Sequence, residues 1–240
     1  MDYPFAFNTA AGWNLGEEFV NMYMGTGADF FKPGTAEINV NNEHGIATLN
    51  MMKALTEYSN PDFLTFNSDA TQALWEAGDL ALATFWGTRA SPIMDDEGST
   101  EEVTSNTVVA SAPFFAGGPR PSSTLWWDGF SIASNVSDED AEASFLAMMN
   151  GMSKEMVMAN NDLAVWLIDG YKPSKASVGV TETASNGAAP YPSLPFFGAL
   201  HGAAGAELTN FLQGNESAEQ ALADMEAAYT ASAKEKGFLN

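Results

Sequence analysis

Leu74-Trp75-Glu76-Ala77-Gly78-Asp79-Leu80-Ala81-Leu82-Ala83-Thr84-Phe85-Trp86 runs from an amphipathic helix, through a glycine at its end, into an apolar run that closes on an indole. Gly78 stands where a left-handed residue commonly terminates a helix. The stretch from Leu80 to Trp86 is nearly all apolar, which predicts a strand covered on both faces. Further on, Leu125-Trp126-Trp127-Asp128-Gly129-Phe130-Ser131-Ile132-Ala133 puts two more indoles and a carboxylate just ahead of a short apolar strand over 130–133. Between these segments, 107–112 reads as another strand and 113–121 as a Pro/Gly-rich loop. Ser137-Asp138-Glu139-Asp140 then opens a helix, with a serine N-cap and acids on its positive end. Helices alternating with short buried strands predict an α/β or mixed α+β class.

The pattern extends to both sides. Helical spacing joins Phe19, Val20 and Tyr23, and a longer helix follows Asn41-Asn42-Glu43 through Ile46, Leu49, Met52 and Leu55. Residues 95–102 form an acidic loop, and 178–195, rich in Ser, Thr, Gly and Pro, reads as irregular. Ser217-Ala218-Glu219-Gln220 is a capping box that opens a last helix, with Leu222, Met225 and Tyr229 inward and Gly237 as its stop.

Composition narrows the function. The 240 residues hold 31 Asp plus Glu against 9 Lys plus Arg, a net charge of −22, so the clustered cations that nucleic-acid binding requires are missing. Anionic membranes would be repelled as well. With no cysteine, disulfides, thiolate metal sites and thiol nucleophiles are excluded. No apolar run approaches the roughly 20 residues of a spanning helix. Met1-Asp2-Tyr3-Pro4-Phe5-Ala6-Phe7 lacks the features of a signal peptide and reads like the interior of a domain. His44 and His201 lack a second histidine at ligand spacing, so both read as surface or capping residues and no metal is expected. Gly98 invites comparison with an EF-hand, but 95–102 lacks the alternating ligand pattern. Gly-x-Ser-x-Gly, phosphate-loop and dinucleotide motifs are absent, and no cofactor or catalytic residue is expected.

Trp75 and Trp166 lie within apolar runs and read as core. Trp13, Trp86, Trp126 and Trp127 sit in glycine-flanked loops or at strand ends, where α/β proteins place ligands. An indole face stacks on the C–H face of a sugar while a neighbouring carboxylate takes its hydroxyls. That combination points to a carbohydrate-binding protein that makes and breaks no bond.

The order of segments resembles the C-terminal part of the extracellular solute-binding proteins that serve sugar ABC transporters, the family that includes maltose-binding proteins. Asn41 to Tyr58 resembles its helix after a short acidic segment, and Ala73 to Leu82 its F-x-x-G-x-x-A-M element. Thr107 to Phe114 resembles its strand ending in P-x-P, and Trp127 to Ser134 its G-G-x-x-x-x-I-S crossing strand, with Asp128 where a glycine is usual. Asp140 to Leu146 is similar to E-A-A-x-x-F-L, and Leu212 to Leu222 to the terminal G-x-x-s-x-E-x-A-L signature.

The resemblance runs from about Phe5 to the end. It implies a type II periplasmic-binding-protein fold of two lobes joined by crossing hinge segments, with the first lobe and signal peptide largely missing from this chain. By that reading 1–127 is the first part of the second lobe, 128–170 returns to the first lobe, and 171–240 completes the second. The implied function is capture of a sugar, an oligosaccharide by expectation, by lobe closure and its delivery to permease subunits. The protein would act as a periplasmic, or extracellular tethered, monomer without membrane insertion. Carried over by position, the ligand residues are Trp86, Trp126, Trp127 and Phe197, with Trp13 and Asn14 from the first loop. Asp128 would accept hydroxyl hydrogen bonds, and Arg89 would donate them or pair with an acid. Two alternatives stay open: the same fold holding a polyamine among acids and aromatics, and a glycosidase with two facing carboxylates.

Overall fold

The computed structural model describes residues 1–115 and 117–240. In chain order its elements are β1 (Phe5–Ala6), α1 (Trp13–Gly25), α2 (Glu43–Thr56), α3 (Ser68–Glu76), β2 (Leu82–Ala83), α4 (Ala90–Ile93) and α5 (Glu101–Asn106). There follow β3 (Thr124–Leu125), α6 (Asp138–Gly151), α7 (Lys154–Ala159), α8 (Val178–Ser185), β4 (Ala189–Pro190), α9 (Phe197–Gln213) and α10 (Ala218–Glu235).

The core lies where α1, α2, α9 and α10 pack together. Leu15, Phe19 and Tyr23 of α1 meet Leu49 and Met52 of α2, Leu200, Leu208 and Leu212 of α9, and Leu222, Met225 and Tyr229 of α10. Side-chain caps start these helices as their sequences predict. Asn42 Oδ1 accepts the amides of His44 and Gly45 at the head of α2, and Ser217 Oγ accepts the Gln220 amide at the head of α10. Gly78, at φ 77°, follows α3 in the left-handed region, and Ser137 Oγ caps α6 through the Asp140 amide.

The strands depart from expectation. Of 80–86 only Leu82 and Ala83 pair, in parallel with Phe5 and Ala6, and Leu82 is 64% exposed instead of covered on both faces. Residues 107–112 and 130–133 form no strand, and Val108 is 83% exposed. Cover is uneven along these runs: Leu80 is buried and Phe85 packs edge-on to Trp75, while Leu82 and Val108 stay open. Residues 80–86 and 107–112, with Phe130, line a cleft.

Residues 178–195 are not irregular throughout, because they contain α8 and β4. The β-branched α8 has weak intrinsic propensity and is tied to the rest of the fold by Thr183, whose Oγ1 accepts the Ala112 amide, while within the helix Thr181 Oγ1 donates to the Ser177 carbonyl. Within 95–102, Asp95 Oδ1 accepts the Glu97 and Gly98 amides, and Thr100 caps α5, so Glu101 and Glu102 lie in a helical first turn. Among the described residues no helix is long and apolar enough to cross a membrane.

Candidate functional site

Short parallel pairings bring the site together. In β3·β4, Leu125 lies opposite Pro190, and the Tyr191 amide donates to the Leu125 carbonyl. The residue following each strand is therefore thrown to the same place: Trp126 and Tyr191 pack with ring centroids 4.1 Å apart. The β1·β2 pair delivers Trp86, just past its end, to the same region. Trp13 comes from the first position of α1, after Gly12.

The three indoles gather. Trp13 stacks on Trp86 at 5.5 Å and 27°, Trp86 meets Trp126 edge-on at 5.7 Å, and Trp13 lies 6.0 Å from Trp126. Trp13 keeps 51% and Trp126 43% of its surface open. Beside them a cleft of about 2250 Å³ runs along residues 80–88, 106–113 and 122–130, with Asn14, Trp127 and Asp128 on its wall. Trp127 is 69% exposed, with its ring edge against Gly129.

Beneath the indoles is a buried polar layer. His201 of α9 stacks on Trp13 at 4.7 Å, and its Nε2 lies 2.8 Å from the Trp13 carbonyl oxygen. Its Nδ1 is 2.9 Å from the Tyr191 hydroxyl and 3.7 Å from Glu17 Oε2. Glu17 Oε1 is 2.6 Å from Thr124 Oγ1 and 3.3 Å from Trp126 Nε1. Glu18 Oε1 accepts the Asn8 amide at 2.9 Å and lies 3.4 Å from Thr84 Oγ1.

Burial pushes the Glu17 carboxyl up to about 7, against opposing hydrogen bonds from Thr124, Trp126 and Asn21. Burial also raises Glu18 to about 7, opposed by the Asn8 amide and reinforced by the Glu17 charge. Burial lowers His201 and raises Tyr191, so both favour their neutral forms.

Two expected residues lie elsewhere. Phe197 is 1% exposed and belongs to the core, edge-on to Phe30 and Tyr191. Arg89 pairs with Asp69 at 2.7 Å and donates to Gln72 Oε1 at 3.0 Å, both in α3. Trp75 and Trp166, read as core, are half-buried and line the cleft, their indole N–H groups donating to Thr107 Oγ1 and the Asn160 carbonyl.

Three residues of the site escape sequence reasoning: Glu17, Tyr191 and His201. A histidine assigned to the surface is in fact buried. The available signal was the small-residue pattern of α1 and α9. A Cβ on Gly16 would stand 2.5 Å from the His201 carbonyl oxygen, and one on Gly205 would stand 2.1 Å from that of Gly12. Glycines in helix interiors mark close backbone approach, and here that approach brings His201 under Trp13. Among the described residues no group of three His, Asp or Glu side chains is arranged to hold a metal ion.

No protein-family model matches the sequence, and no curated protein matches it. Solved structures do. A solute-binding protein of an ABC transporter from Agrobacterium radiobacter, in complex with ribitol, superposes with a TM-score of 0.77 at 19% identity, over 94% of this chain and 58% of that one. The maltose-bound MalE3 of T. maritima gives 0.76 at 17% identity, over 95% and 60%. The maltose/maltodextrin-binding domain MalE of Bdellovibrio bacteriovorus, bound to maltotriose, gives 0.70 at 15%, over 97% and 60%. These neighbours are binding proteins. The chain has the type II binding-protein fold of ABC transporter solute-binding proteins, and it spans about three fifths of the length of the solved structures it matches.

Proposed function

We propose that this chain carries the ligand platform of an ABC importer's substrate-binding component, capturing a sugar or sugar alcohol and passing it to permease subunits outside the cytoplasmic membrane. The observation that carries the reading is the convergence of Trp13, Trp86 and Trp126 from three separate elements onto one edge of the cleft. Packing alone would bury such rings, whereas two of them keep about half their surface open. Flat apolar faces beside Asn14 and Asp128 suit a ring or chain with one C–H side and several hydroxyls. The similar folds in complex with ribitol, maltose and maltotriose support the same class.

In this reading 1–127 and 171–240 form one lobe, and 128–170 belongs with a second lobe. The support is physical. Helix α6 has no buried residue, and Phe145, Leu146 and Met149 on it are exposed. Capture works by closure: a ligand touching both lobes favours the closed arrangement by the difference in its contacts. No bond is made or broken, and the working form is a monomer.

The deciding experiment is a tryptophan-fluorescence titration of the two-lobed protein with ribitol, maltose and spermidine. Saturable response to a polyol or sugar, with the ligand recovered intact, supports the proposal. Response to spermidine alone would transfer the site to a cationic solute, and sugar turnover would make the protein an enzyme.

A further inference from the structure

Three oxygens lie in a row under Trp126: Glu17 Oε1, Thr124 Oγ1 and Asn21 Oδ1, separated by 2.6 Å and 2.7 Å. Oxygens this close need a proton between each pair. The Asn21 amide cannot supply one by turning over. Its oxygen already accepts the Thr124 backbone N–H at 2.7 Å, and a turned amide would set two donors against each other. The Thr124 hydroxyl has a single proton, and Trp126 Nε1 at 2.9 Å points its own proton at that hydroxyl oxygen. Two gaps and one hydroxyl proton leave Glu17 as the source of the second.

We infer that Glu17 is a positioning residue that carries a proton on Oε1 and donates it to Thr124, and that this proton fixes the Trp126 indole on the platform. Every group is then satisfied in sequence. Glu17 donates to Thr124, Thr124 donates to Asn21, and the Thr124 oxygen accepts from both Glu17 and Trp126. The other carboxyl oxygen, Oε2, has no hydrogen-bond partner, a condition a neutral carboxyl tolerates far better than a carboxylate.

The facing histidine agrees. With Nε2 donating to the Trp13 carbonyl, neutral His201 presents a lone pair at Nδ1, which accepts from the Tyr191 hydroxyl, so it offers Oε2 no proton. The titratable groups around Glu17 are Glu18 on its own helix, His201 on α9 and Tyr191 after β4. Thr124, Asn21 and Trp126 are neutral. Removing the proton gives the Thr124 hydroxyl to the carboxylate and leaves lone pairs opposed across the Thr124–Asn21 contact. Trp126, bonded to Thr124, moves in consequence.

The test is tryptophan emission of the protein alone, followed from about pH 5.5 to 8.5, the range that brackets a carboxyl raised to about 7. Wild type should show a reversible transition near neutrality. Glu17→Gln, whose amide donates as the protonated acid does, should hold the acid-side signal across the range. A transition that survives in Glu17→Gln, or no transition in wild type, overturns the inference. Should Glu17→Gln not fold, Glu18→Gln decides: its transition must persist, and its loss would move the titration to Glu18 and sink the inference.

In the solute-capture reading, maltose affinity in wild type should weaken severalfold from the acid to the alkaline side, and stay flat in Glu17→Gln. Silence toward maltose at every pH would count against that reading only, since the emission of the protein alone still decides Glu17.

Discussion

Trp126 and Trp127 are sequence neighbours with opposite surroundings. Trp126 touches Trp13, Trp86 and Tyr191 and hydrogen-bonds through its indole, while Trp127 stands open on the cleft wall. Replacing Trp126 by Ala should weaken solute binding roughly tenfold or more, through lost stacking. Trp127→Ala should leave the unfolding free energy within about 0.5 kcal/mol of wild type, as surface substitutions do. Calorimetric binding and a melting curve on both variants check the pair. Phe197 belongs to the other category: Phe197→Ala should cost about 3–5 kcal/mol of unfolding free energy by urea titration, the cost of emptying a close-packed aromatic site. The indoles were legible because tryptophan beside glycine at a strand end is a poor core residue. Glu17 was not, since it lies two residues from both Leu15 and Phe19 and so off the visible apolar stripe of α1. It is buried because α1 is covered on several sides, with residues 15 to 20 all inside.

The elements divide by what holds them. The starts of α2, α6 and α10 could be read directly, because a capping side chain acts within three residues of itself and needs nothing distant. The strands could not. An apolar run such as 107–112 has the composition of a sheet interior, yet pairing depends on a neighbour that the run does not encode. The crossing of α1 and α9 is equally non-local, and it rests on two backbones in contact. Gly205→Ala drives a methyl group onto the Gly12 carbonyl and should weaken the hydrogen bond from the Gly12 amide to Gly205. A loss on the order of 1–3 kcal/mol, read by denaturant midpoint, is expected, although alanine is the better helix former.

Over the whole molecule, charge and burial act together. Glu17 and Glu18 bind protons more tightly folded than unfolded, because burial lifts each from the ordinary 4.5 to about 7. Their contribution is complete below about pH 4.5 and is lost as the pH rises through 7, on the order of 3 kcal/mol for Glu17 alone. Self-repulsion from a net charge of −22 grows in the same direction. The urea midpoint should therefore fall from pH 5 to pH 8, and the fall should be shallower in Glu17→Gln. The open face of α6, with Phe130 and Leu167 also exposed, should bind a hydrophobic dye, and Phe145→Ser with Leu146→Ser should lower that dye emission. A final consequence is optical. Three indoles with centroids within 6.0 Å of one another no longer absorb independently. Their ultraviolet transitions couple into delocalised excitations, whose circular-dichroism couplet depends on the angles between rings. A solute that turned one ring by a few degrees would reshape that couplet even where emission intensity stayed constant, so the platform carries a built-in reporter of its own geometry.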